Sequence, residues 1–238
     1  TGQEGQAQLG EYGAAVKIAM IMSMLIQAFR YAYEPMVFGA TRESRDEKNK
    51  MYSDTMKYFI IFAILAFLTV VFYLDILLLI LGPNYRAGAK VIPIVMIAEI
   101  FMGIYFNLSF WYKLSDKTWW GGFFSFIGCT VLVAINILFV PKYGYIACAW
   151  GGFAGYGVCM LLSYFVGQHY EPVKYPLKEI FIYCILAAVL WGISTLFKDT
   201  NIVLKLSINT LLLICYVWYI IKKDLPLKSI PLVNKFFK

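Results

Sequence analysis

Apolar residues in this chain fall in seven long runs, each set off from the next by charge, proline or glycine. The runs lie at Tyr12–Phe38, Met56–Leu81, Val91–Tyr112, Gly121–Val140, Tyr145–Gly167, Ile180–Phe197 and Ile202–Ile221. Runs of roughly eighteen or more apolar residues match the hydrocarbon thickness of a bilayer. The pattern predicts an all-α, polytopic membrane helix bundle of about seven transmembrane helices. Between the runs, Gly82-Pro83-Asn84 and Pro141-Lys142-Tyr143-Gly144 are turn signals. Thr41–Lys50 reads as a solvated mixed-charge loop, and Gln168–Glu179, with Pro172 and Pro176, as a polar loop. Thr1–Glu11 is short, polar and glycine-rich, a loop entering the first span, and Lys198–Asn201 is a short turn. Pro35 is expected to bend or end the first helix.

Composition supports the membrane reading. The 238 residues are 61% hydrophobic and 15% charged, against roughly 45–50% and 25% in soluble domains. The net charge of +7 would suggest nucleic acid for a soluble protein. Here the cations flank membrane spans, so orientation and anionic membrane lipids account for them and nucleic acid does not. One set of loops carries thirteen Lys and Arg, including those of the basic tail at 222–238; the other set carries four, Arg86, Lys90, Lys142 and Lys198. Cationic loops stay inside, so the C-terminus is expected to be cytoplasmic and Thr1 outside. The chain begins without Met or a basic leader and reads as a fragment whose N-terminal part is missing. A complete chain starting inside would need an odd number of further helices. The five cysteines lie within apolar runs, without metal-ligand spacing, and read as small packing residues.

Candidate chemistry concentrates at Gln27–Pro35, reading Q-A-F-R-Y-A-Y-E-P. It closes a first run of about 26 residues, roughly 39 Å of helix. Arg30 and Glu34 are four residues apart and stack on one helix face, which Gln27 and Tyr31 share. A charge at that depth costs about 3 kcal/mol on insertion scales and normally faces a partner helix or a wet cavity. Two readings follow: a self-neutralising pair snorkelling to the headgroups, or a cavity-lining site. Lys17, in the first turns of the run, can point either way. The third run carries Glu99 near its middle and Asn107 two turns later, on a stripe with Gly103 and Phe106. Ala147, Gly151, Gly155 and Cys159 repeat every four residues, a small-residue stripe that suits close helix packing better than ligand contact. The last two runs hold no charge but Lys205 and read as peripheral, lipid-facing helices.

Four segments carry a family likeness: E-Y-G-A-A-V-K-I-A-M at Glu11, Q-A-F-R-Y-A-Y-E-P at Gln27, F-N-L-S-F-W-Y-K-L-S-D-K-T at Phe106 and P-K-Y-G-Y-I-A-C-A-W at Pro141. With them the chain, from about Gly10 to Tyr175, resembles polysaccharide biosynthesis proteins of the lipid-linked oligosaccharide flippase type, within the multidrug, oligosaccharidyl-lipid and polysaccharide exporter superfamily. The resemblance implies two pseudo-symmetric lobes with about twelve to fourteen helices in all. This chain would supply the C-terminal part. Residues 1–167 would form the C-terminal lobe lining the transport cavity, 168–221 two peripheral helices and 222–238 a basic cytoplasmic tail; the missing N-terminal lobe would be the partner. It further implies a multi-pass protein of the bacterial cytoplasmic (inner) membrane that flips a polyprenyl pyrophosphate-linked oligosaccharide by alternating access, with no catalysis, cofactor or metal. A pyrophosphate cannot cross hydrocarbon uncompensated. Arg30 offers a planar fork for phosphate oxygens, with Lys17 as a second cation and Glu34 as the resting partner. Gln27, Tyr31 and Asn107 complete the expected substrate set. Glu99 is the expected ion-coupling residue, because a carboxyl group shielded from water can hold a proton.

Three other functions compete with this one. A multidrug or cation antiporter of the same fold calls for acidic or apolar cavity groups, which Arg30 does not suit. A membrane glycosyltransferase or ligase calls for a sizeable extramembrane loop, and every loop here is short. A seven-helix receptor matches the predicted topology but lacks D-R-Y, N-P-x-x-Y and a central lysine in the last span.

Overall fold

The computed structural model describes residues 2–39, 44–80, 82–197 and 200–224. Regular structure among them is helical: α1 Gly2–Gly39, α2 Arg45–Phe72, α3 Leu74–Ile80, a 3₁₀ segment Pro83–Val91, α4 Ile92–Leu108, α5 Phe110–Leu114, α6 Trp119–Tyr143, α7 Tyr145–Tyr170, α8 Leu177–Leu196 and α9 Ile202–Lys223. Seven segments among the described residues are long and apolar enough to span a bilayer. The expected all-α membrane bundle is the fold observed.

Local differences from the sequence reading have local causes. Residues 2–11 are helix, not a loop: Gln, Ala and Glu favour helix, and the 3₁₀ segment braces this end of α1. A Cβ on Gly88 would collide with the Glu11 carbonyl, so the two backbones touch. Pro35 does not end α1, which continues to Gly39. Arg45–Lys50 belongs to α2, not to a solvated loop. Ser44 is the N-cap: its Oγ accepts from Glu47 N at 3.4 Å, while its N–H donates to Glu47 Oε2 at 2.9 Å, a complete capping box. Residues 41–43 of the expected loop lie outside the described residues, as do residue 40, Leu81, Lys198, Asp199 and 225–238 of the expected tail. Lys222 and Lys223 close α9 and precede that tail.

Two expected spans are interrupted. The second breaks at Tyr73, between α2 and α3. The third breaks at Ser109, between α4 and α5. Asn107 Nδ2 donates to Gly103 O at 3.0 Å and Ser109 Oγ to Phe106 O at 2.6 Å, so side chains capture backbone acceptors just where the regular helix is interrupted.

The main core lies between α1 (Ala15, Ala19, Met22, Ile26), α2 (Phe59, Ala63, Leu68) and α4 (Met96, Ile100). Against it stands the α6–α7 pair. On α7 the expected small-residue stripe is buried and runs on: Ala147, Gly151, Gly155, Cys159, Ser163 and Gly167. A Cβ on Gly128 of α6 would lie 2.8 Å from the Gly155 carbonyl oxygen, and one on Gly155 would lie 2.8 Å from that of Gly128. Only glycine lets the backbones meet this closely. The turn between them passes through Gly144 at φ +59°, a left-handed value that glycine adopts without strain.

The two last helices attach differently. Lys57 of α2 pairs with Glu179 of α8 and with Asp224 at the end of α9, and Tyr183 of α8 donates to the same Asp224. Near the other end of α8, Asn209 of α9 accepts from Ser194 of α8 at 2.7 Å. It also donates at 2.8 Å to Phe72 O, a carbonyl at the α2–α3 break. Tyr73 and Thr210 hydroxyls lie 2.7 Å apart beside it. Lys205, read from the sequence as an isolated charge, is paired with Asp75 of α3.

Candidate functional site

Arg30 and Glu34 form the expected ion pair one turn apart on α1, with Nε 2.9 Å from Oε1. Arg30 Nε makes no hydrogen bond among the described residues, so the pair is held by charge without an aligned N–H···O contact. The same carboxylate oxygen has a second cation 3.9 Å away, Lys113 Nζ of α5. Lys113 lies there because α5 packs beside the end of α1, Phe110 of α5 standing against Tyr33 of α1. Sequence reading placed Lys113 among the loop cations and missed it.

The two cations open onto a cleft of about 370 Å³ whose walls include Arg30, Tyr105, Phe106, Ser109, Lys113 and Ser125. The Arg30 guanidinium sits 4.7 Å from the centre of the Phe106 ring, a cation–π contact that helps hold its plane. Behind it runs a hydroxyl chain. Tyr112 donates to the Tyr105 hydroxyl at 3.3 Å, Tyr105 donates to Gly121 O at 3.1 Å, and Ser125 Oγ lies 3.3 Å from the same hydroxyl. Two cations sharing one counter-ion leave a net positive charge, and all three side chains remain partly exposed, between 20% and 31%. The arrangement can take an anion on the cations and hydroxyl-bearing groups on the Tyr105–Ser125 wall.

The other expected residues lie elsewhere. Tyr31 is 70% exposed and Lys17 is exposed about 20 Å back along α1 from Arg30. Gln27 is half-buried and does not line the cleft. Asn107 is buried, bonded to its own helix, and borders a small internal space with Ser163 and Tyr164. Glu99 is half-buried between α1 and α4, where Ser23 Oγ donates to its Oε2 at 2.6 Å. Tyr12 of α1 and Tyr156 of α7 lie within electrostatic range of that carboxylate.

The class this architecture defines is a polytopic, all-helical membrane bundle. Among solved structures it is similar to "Lipid II flippase MurJ, inward closed conformation", with a TM-score of 0.67 over 87% of this chain and 47% of that one, at 15% identity. At that identity the likeness is one of fold alone, and the fold is the all-α membrane bundle expected from the sequence. The chain spans about half the length of that structure. No protein-family model and no curated protein matches the sequence.

Proposed function

We propose that this chain belongs to a transporter that flips a polyprenyl pyrophosphate-linked oligosaccharide across the bacterial cytoplasmic membrane, by alternating access, for surface polysaccharide export. The observation that carries the reading is the single carboxylate oxygen of Glu34 shared by Arg30 and Lys113 at the mouth of a hydroxyl-lined cleft. A pyrophosphate satisfies both cations at once, and the Tyr105 and Ser125 hydroxyls suit a sugar. The solved structure of similar fold is by its name a flippase of a lipid, which supports a lipid-borne substrate. In this reading residues 1–167 are the cavity-lining C-terminal lobe, 168–221 the peripheral helices and 222–238 a cytoplasmic tail, with an N-terminal lobe as partner. Arg30, Lys113 and Glu34 bind and release the pyrophosphate. Lys17, Gln27, Tyr31 and Asn107 act at other stages of the cycle, and Glu99 with Ser23 couples ion movement. A multidrug antiporter of this fold is disfavoured, because two cations at the cleft repel cationic drugs.

The test is complementation of polysaccharide export, with folding followed by size-exclusion profile. Arg30→Ala abolishes export, but it also frees Glu34. Arg30→Ala with Glu34→Ala removes the stray charge, so folding is wild-type while export stays lost. Full export by that double variant would overturn the assignment.

A further inference from the structure

A second face of the bundle carries a different chemistry. Asn49, Ser53, Met56 and Ile60 follow one another at four, three and four residues and share one side of α2. The first two line a polar cavity of about 560 Å³ together with Arg45, Lys50 and Lys174. The last two line an apolar groove of about 310 Å³ with Met160, Phe165, Leu177 and Ile180. The loop between α7 and α8 makes the same passage, Lys174 lining the cavity and Tyr175 the groove. Ser53 Oγ donates to Lys174 O at 3.0 Å, fastening the loop to α2 at the level where the lining changes.

Three features say what fits here. Arg45, Lys50 and Lys174 are exposed, and none is in a salt bridge among the described residues. One carboxylate, Asp46, shares the cavity with these three cations, so the wall is net positive. The groove below is lined without any charged side chain. Cations, then hydroxyl and amide, then hydrocarbon is the order met by phosphate, ester and acyl chain on descending an anionic phospholipid. The site is separate from the Arg30 cleft: Ile104 and Leu108 of α4 face the groove, whereas Met102, Tyr105 and Phe106 face the cleft.

We infer that this face binds one anionic phospholipid of the adjacent leaflet, its phosphate among Arg45, Lys50 and Lys174 and an acyl chain along Met56 and Ile60. A zwitterionic lipid fills the groove as well but gains little from the cations. Each Lys or Arg near an anionic surface adds to the attraction, so the three together set the preference.

Native mass spectrometry of the full chain in detergent reads this directly. The probes are phosphatidylglycerol, phosphatidylcholine of the same acyl chains, and chain-free glycerophosphoglycerol. Phosphatidylglycerol is retained more strongly than phosphatidylcholine, and the chain-free headgroup does not displace it. Arg45→Gln, Lys50→Gln and Lys174→Gln combined weaken retention by roughly tenfold to a hundredfold. Because these side chains are exposed, the size-exclusion profile is unchanged. Ile60→Trp, which fills the groove, weakens phosphatidylglycerol without creating headgroup binding. Equal retention of phosphatidylcholine overturns the inference in favour of a plain apolar groove. Displacement by the chain-free headgroup overturns it in favour of a soluble-anion site. Undiminished retention by the triple variant removes the cations from it.

Discussion

Where α6 meets α7, the contact is backbone to backbone, with Gly128 and Gly155 each within a methyl group of the other's carbonyl. Where α8 and α9 meet α2, the contact is made by side chains that reach: Lys57 to two carboxylates, and Asn209 to Ser194 and to a carbonyl exposed by a helix break. In lipid, no hydrophobic force draws helices together, and both solutions answer that problem. Close approach multiplies dispersion contacts and needs no particular partner atom. Polar reach depends on a few atoms and gives one register. The α6–α7 junction is therefore joined by shape and the junction of α8 and α9 with α2 by a short set of bonds. The two junctions should fail in different ways.

The largest effect is expected from Lys57→Ala. It leaves Asp224, only 4% exposed, without its cation, and breaking such a buried pair costs about 3–5 kcal/mol. Thermal unfolding in detergent should shift sharply down, with α8–α9 becoming protease-sensitive before the rest. Adding Asp224→Asn and Glu179→Gln should recover most of the loss; no recovery would show that the junction is not ionic. Next comes Gly155→Val, which forces α6 and α7 apart at a cost of about 1–3 kcal/mol, as overpacking does elsewhere. Here no second-site polar change should rescue, whereas cross-linking of α8 to α2 should remain normal. Rescue by a charge change would erase the distinction. The smallest effect is expected from Asn209→Ala. Membrane hydrogen bonds average about 0.6 kcal/mol, so a shift of about 1 kcal/mol in unfolding free energy is expected for its two bonds. A loss as large as that of Lys57→Ala would mean that the Asn209 bonds, and not the ionic end, hold α9.

What the sequence made legible follows from how far each signal reaches along the chain. The seven spans were readable because hydropathy is a local average. The Arg30–Glu34 pair was readable because four residues is one helical turn. Lys113 was not: Glu34 lies on another helix, and the two meet only once the third span, with its break at Ser109, packs against α1. The trace of that break was Asn107 and Ser109 in an apolar run, both able to bond backward to their own helix. Tyr105 and Ser125 stayed hidden for a related reason, since isolated hydroxyls in a span look like packing residues until they are brought to one wall. Lys57 lay one residue inside the predicted second span, and its carboxylate partners are more than a hundred residues away in sequence. The helix at residues 2–11 was obscured by its glycines, and what supports it, the segment around Gly88, comes from far along the chain.

One feature of α1 has a mechanical side. From Glu11, wedged against Gly88, to Arg30 in the cleft the helix runs without a proline, a rod of about 29 Å. Held at one end, such a rod swings its other end by about 5 Å for a 10° tilt, more than the 3.9 Å that now separates Lys113 from Glu34. The brace at Gly88 and the charges at the cleft thus lie at opposite ends of one stiff arm, so the bearing at one membrane face sets the gap between the charges toward the other.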